Sequence, residues 1–202
     1  MDMPSFAIGH RHHPERFDAV ASPRAALVAC LLVALIAGGC ASGGPGGSSA
    51  PAGSKTFVSE RYAFTIVLPP GASARGSTAD WDANCLCGLA NPAWDVAKVD
   101  GRTFAIGSKE VDATMGLAQW QAMMVELAPA SCTDSNPPAD ATLDGEEART
   151  WTASCYDGNA IKLAVLHGGR GYMVLFDSPT SAAWDDSWRA FDTLIGSFRF
   201  DS

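Results

Sequence analysis

Ala148-Arg-Thr-Trp-Thr-Ala-Ser-Cys155, Ala160-Ile-Lys-Leu-Ala-Val-Leu-His167 and Gly171-Tyr-Met-Val-Leu-Phe-Asp177 are three runs in quick succession, joined at Asp157-Gly158 and Gly168-Gly169. Short runs rich in apolar and β-branched residues and bounded by glycine turns read as strands. Joints this short connect neighbours that run in opposite directions, so the reading is an antiparallel meander.

The period changes on the C-terminal side. Trp184, Trp188, Phe191, Leu194, Ile195 and Phe198 fall at intervals of four, three, three, one and three, which predicts an amphipathic helix ending near Gly196. Asp185 and Arg189 stand four apart, the spacing of a helical ion pair. Upstream, Leu117, Trp120, Met124 and Leu127 predict a helix within 114–128, with Asp112 or Thr114 as its cap and Pro129 beyond its end. Trp94 to Val99 and Thr103 to Ile106 flank Asp100-Gly101, a dipeptide suited to a tight hairpin turn. Tyr62, Phe64, Ile66 and Leu68 alternate with smaller or polar residues, a strand stopped by Pro69-Pro70-Gly71. The stretch 72–93 lacks a period and reads as a long crossing loop. The expected class is therefore α+β, a mainly antiparallel sheet with helices packed on it.

Tyr62-Ala-Phe64-Thr-Ile66-Val-Leu68-Pro69, the meander, and Trp188-Arg-Ala-Phe191-Asp-Thr-Leu194-Ile195-Gly-Ser197-Phe198-Arg-Phe200 together resemble the PsbP-like domains found in many bacterial lipoproteins. The resemblance covers about 57–200 and implies an α-β-α sandwich. Its motifs are packing motifs, so they speak to fold and hardly to activity. Two features depart from the pattern: Ala72 stands where a tryptophan often follows the Pro-Gly step, and the domain carries four cysteines.

Before the domain, Ala25 to Gly39 is an uncharged apolar run. As a helix it would span roughly 22 Å, short of a bilayer core of about 30 Å. Arg24, the apolar block and a small-residue end match a secretory signal peptide. Ile36-Ala37-Gly38-Gly39-Cys40 resembles the lipobox of bacterial lipoproteins, which implies cleavage before Cys40 and two or three acyl chains, palmitate among them, on its thiol. One chain holds a protein marginally and two hold it stably. The competing reading is an ordinary cleaved signal peptide with a stray cysteine. Asp2, Glu15 and Asp18 are unusual in such a leader and suggest a true start near Val20. His10, His12 and His13 fall in this discarded part. The expected organisation is thus a signal peptide at 1–39, a lipidated Cys40 with a flexible Gly/Ser/Pro tether to residue 55, and one domain at 56–202. The tether's end-to-end distance is about 20 Å.

The chain's formal net charge is −8, and all of it falls after residue 39. An acidic domain disfavours nucleic acid and anionic headgroups, so the expected membrane contact is the lipid itself. The implied location is the extracytoplasmic face of the cell membrane, or the outer membrane in a diderm, where Ala41 lacks the aspartate that signals inner-membrane retention.

Cys85, Cys87, Cys132 and Cys155 are disulfide candidates, an even set in an exported chain. Three connectivities are open, with Cys132–Cys155 favoured because Cys85 and Cys87 would close a very tight ring. The one histidine after the leader, His167, sits beside a glycine turn, which leaves no Ser-His or Cys-His set. No cofactor or metal is expected. Zinc at Cys85, Cys87 and His167 would need free thiols. Glu146-Glu147 and Asp185-Asp186 read as solvated acids, and Gly168-Gly169-Arg170-Gly171 as a hairpin rather than a phosphate loop. Trp120, Trp151, Trp184 and Trp188 are expected in the core, with Trp81 and Trp94 freer and the first place to seek a recognition surface.

The functional expectation is a non-enzymatic binding or scaffolding module for an envelope protein or component. The alternatives are a small-ligand carrier with a pocket between sheet and helix, or a thiol redox or metal factor using Cys85 and Cys87.

Overall fold

A computed structural model describes residues 51–83, 90–129, 131–156 and 158–201. In chain order the elements are β1 (Lys55–Ser59), β2 (Phe64–Leu68), β3 (Ser73–Arg75), β4 (Asp95–Val99), β5 (Arg102–Glu110), α1 (Leu117–Glu126), β6 (Cys132–Asp134), β7 (Ala139–Leu143), β8 (Glu146–Cys155), β9 (Gly158–His167), β10 (Arg170–Pro179), α2 (Trp184–Ser197) and β11 (Arg199–Phe200).

The large sheet runs β3-β4-β5-β10-β9-β8-β6, with β7 also on β8, and its pairings are antiparallel. A small sheet, β1-β2-β11, is antiparallel too. The meander is β8-β9-β10, each strand longer than its apolar run because polar ends continue the ladder. Asp100 and Gly101 take φ of 49° and 76°, the left-handed conformations of the tight β4–β5 turn.

Alternate residues of β10 face opposite layers. Phe176 meets Phe191 of α2 at 5.9 Å between ring centroids, and Tyr172 Oη donates to the Tyr62 carbonyl at 2.9 Å. The small sheet and α2 pack together here: Phe64 stacks on Phe198 at 4.9 Å, and Val67 N donates to Ser197 Oγ at 3.1 Å. The other face meets α1. A Cβ on Gly171 would lie 2.5 Å from Trp120, and one on Gly107 would lie 2.6 Å from Trp81, so both indoles rest on bare backbone. Trp120 Nε1 donates to the Tyr172 carbonyl at 2.9 Å. Covered on both sides, β9 and β10 each bury six consecutive residues and read as continuous apolar runs. Helices on opposite faces make the expected α-β-α sandwich.

Local details differ from the sequence reading. Gly116 N donates to Gln119 Oε1 at 3.0 Å at the start of α1, whereas Asp112 binds Thr114 in the preceding turn. Helix α2 passes through Gly196 to Ser197, and its ion pair joins Arg189 to Asp186, three residues apart. Trp120 and Trp151 are fully buried; Trp184 and Trp188 are only partly buried against the core.

Candidate functional site

Helix α1 covers only part of its sheet face. The chain leaves it through Pro129 and Ser131 to β6, and between this connection and the sheet lies a cleft of about 430 Å³. That volume is within the range of small-molecule sites. Its floor is set by register. Lys98, Thr103, Asp177 and Ala160 are successive partners across β4, β5, β10 and β9, and Leu175 and Lys162 form the next row. With strands about 4.8 Å apart, the first row spans roughly 14 Å of backbone. The Cys132–Cys155 disulfide, directly opposed between β6 and β8, forms one rim.

Two ammonium groups line the cleft. Lys162 is 2% exposed, and its Nζ donates to Asp134 Oδ1 at 2.9 Å and lies 5.9 Å from the Trp151 ring centroid. A buried charge needs such a partner, because desolvation otherwise costs several kcal/mol. Lys98, exposed at the other side, donates to Thr103 Oγ1. Asp177 stands in the same row as Lys98 and on the strand beside Lys162. The arrangement can hold a small polar or charged molecule against an apolar strip that includes Leu175 and Ala160.

Among the described residues, the histidine pairs with a carboxylate rather than with a serine or cysteine. His167 lies at the end of β9, with Nδ1 2.8 Å from Glu146 Oε1 and its ring stacked on Phe200 at 4.0 Å. Among the described residues no cluster of His, Cys, Asp or Glu could hold a metal ion. Burial raises the phenols of Tyr62 and Tyr172, which donate to the carbonyls of Ala93 and Tyr62 and so tie the loop before β4 and the small sheet together with β10. Hydrogen bonds from Thr114 lower the Asp112 carboxyl.

The structure moves the expected recognition surface. Trp81 and Trp94 are 2% and 0% exposed, with rings 4.9 Å apart, and Trp81 also meets Trp120 edge-on at 6.2 Å. The bare backbone at Gly107 lets Trp81 sink onto β5, so this pair belongs to the core. Cys132 and Cys155 are joined, while Cys40, Cys85 and Cys87 lie outside the described residues. Sequence reasoning missed Lys98, Thr103, Lys162 and Asp177. The available signal was Lys162 itself, a charge inside the apolar run Ala160 to Leu166.

No family model matches the chain, and no curated protein matches it in sequence. The solution structure of cyanobacterial PsbP (CyanoP) from Synechocystis sp. PCC 6803 aligns with a TM-score of 0.53 at 15% identity, over 78% of this chain and 98% of that one. The crystal structure of LpqN, involved in cell envelope biogenesis of Mycobacterium tuberculosis, aligns with a TM-score of 0.36 at 14% identity, over 80% and 88%. The latter superposition is too loose to carry an argument, and the former speaks to the fold. The two-layered helix packing on an antiparallel sheet is, on that comparison, the PsbP-like α+β fold.

Proposed function

We propose that this chain is an extracytoplasmic lipoprotein, anchored through Cys40 and the tether after it, whose PsbP-like domain is a non-enzymatic binding module for a component of the cell envelope. The observation that carries the binding role is the cleft, a cavity of about 430 Å³ with a fully buried lysine on its floor. The lipobox-like Ile36 to Cys40 supports the anchor. A disulfide on the rim fits an oxidising compartment, since such bonds rarely persist in a reducing cytosol. With a tether of about 20 Å the cleft would stay close to the membrane.

Metabolic labelling with a radiolabelled fatty acid tests the anchor: the wild-type chain takes up label and stays with membranes through a high-salt wash, and Cys40→Ser does neither. A Cys40→Ser chain that remains membrane-bound would overturn it. Crosslinking in cells followed by mass spectrometry tests the binding role. Wild-type adducts are expected to disappear when Leu175→Trp fills the cleft, and adducts that persist unchanged would count against the cleft as the site.

A further inference from the structure

We propose that the cleft takes a small organic anion, a carboxylate or phosphate group carried on a short apolar body; this rests on reading the cleft as the ligand site. Two of the chain's four lysines, Lys98 and Lys162, line this one cavity, against a single lining carboxylate, Asp177. Lys162 is already paired with Asp134, so with Asp177 the two ammonium groups face two carboxylates and the cleft is locally balanced in a chain whose formal net charge is −8. The acidic surface as a whole repels an anion, whereas the floor of the cleft is balanced and offers it ammonium donors.

Lys162 is the stronger half of the argument. It occupies a position of β9 flanked by Ile161 and Leu163, both buried, where an apolar side chain would avoid the desolvation of an ammonium. Its hydrogen bond to Asp134 uses one of the three donors an ammonium carries. Lys98, across the floor, brings a second point charge of the kind suited to carboxylate and phosphate oxygens. Leu175, Ala160 and the two prolines, Pro129 and Pro179, supply apolar surface beside these charges, enough for a short hydrocarbon body. Asp177, in the same row as Lys98 and on the strand beside Lys162, disfavours a second negative group on the ligand.

Butyrate and butyl phosphate, titrated into the detergent-solubilised, isotope-labelled full chain and followed by amide NMR, test the proposal, with butylammonium as the probe of opposite charge. Either anion should shift Thr103, Asn159 and Leu175 first, and the tighter of the two identifies the head group. Lys98→Ala, at an exposed position, should weaken binding about 10-fold. Asp177→Asn should tighten it, and Leu175→Trp should abolish it with the melting temperature retained. Added salt should weaken it. Butylammonium binding at these residues as tightly as butyrate, or no anion-induced shift there, would overturn the site. An unlabelled Cys40 with butyrate binding intact would remove the anchor and leave the site standing, whereas a labelled Cys40 without anion binding would remove the site alone.

Discussion

Lys162 illustrates what a single residue costs and fixes. Its side chain is 3% exposed and Asp134, its partner, 25%, so the pair is nearly desolvated. Removing one partner from such a pair costs far more than replacing both charges by apolar groups. Asp134→Ala, which leaves the buried ammonium unpaired, should therefore lower stability by about 3 kcal/mol in urea unfolding, while Asp134→Ala combined with Lys162→Met should stay within about 1 kcal/mol of wild type. Equal effects of the two would show that the pair is solvated. Glycines separate in the same way. Gly171→Ala puts a Cβ into the Trp120 ring and should cost about 2 kcal/mol. Gly196→Ala, in α2 with no atom within 4 Å of the added Cβ, should raise stability by about 0.5 to 1 kcal/mol. Burial raises the phenols of Tyr62 and Tyr172, so the native state holds these protons more tightly than the unfolded chain. Their contribution is fully present below about pH 10 and is lost as pH rises through the higher native values. Tyr172→Phe should accordingly show a shallower alkaline loss of stability than wild type in pH-dependent urea melts.

At the scale of elements, the disulfide is the main clamp on the cleft. It joins β6 to β8 across 23 residues of sequence, and β6 also carries Asp134. Cys132→Ser with Cys155→Ser should lower stability by about 3 kcal/mol. The β6 amides should then exchange faster than those of β9, because β6 has only three residues on the ladder. Unchanged exchange in β6 would show that its backbone pairing alone holds it. What the sequence reveals follows element size. The meander and the β4–β5 hairpin carry enough buried residues to print apolar runs, and the helices enough to print a spacing of three and four. Strand β1 has only Phe57 half-buried and Ser59 buried, β3 is exposed throughout, and β11 is two residues long. Such strands form because a neighbour offers an edge, and no local pattern records that. The cleft is hidden for a related reason: Lys98, Thr103 and Asp177 come from three strands and meet only through register. Trp81 and Trp94 misled because a long aperiodic stretch suggests exposure, and the glycine that receives Trp81 lies in another strand.

For the whole described domain, the distribution of covered strands sets an order of opening. Strands β9 and β10 are paired on both edges and packed on both faces, so their amides open only with most of the domain. The small sheet is held from outside by side-chain ties rather than by a shared ladder, among them the Phe64–Phe198 stack, the Ser197 hydroxyl at Val67, the Tyr172 hydroxyl at the Tyr62 carbonyl, the Ser59 hydroxyl at Asp95 and the His167–Phe200 stack. Its outer strand β1 is open along one edge and mostly exposed. Native-state hydrogen exchange should therefore rank β1 and β3 fastest, β2 intermediate, and β9 with β10 slowest. Tyr172→Phe, which removes one tie to the small sheet, should speed exchange in β2 while leaving the centre of β9 unchanged. Equal acceleration in both strands would mean that the two sheets open as one unit, and the cleft, floored by the large sheet, could not then keep its shape while the small sheet loosens.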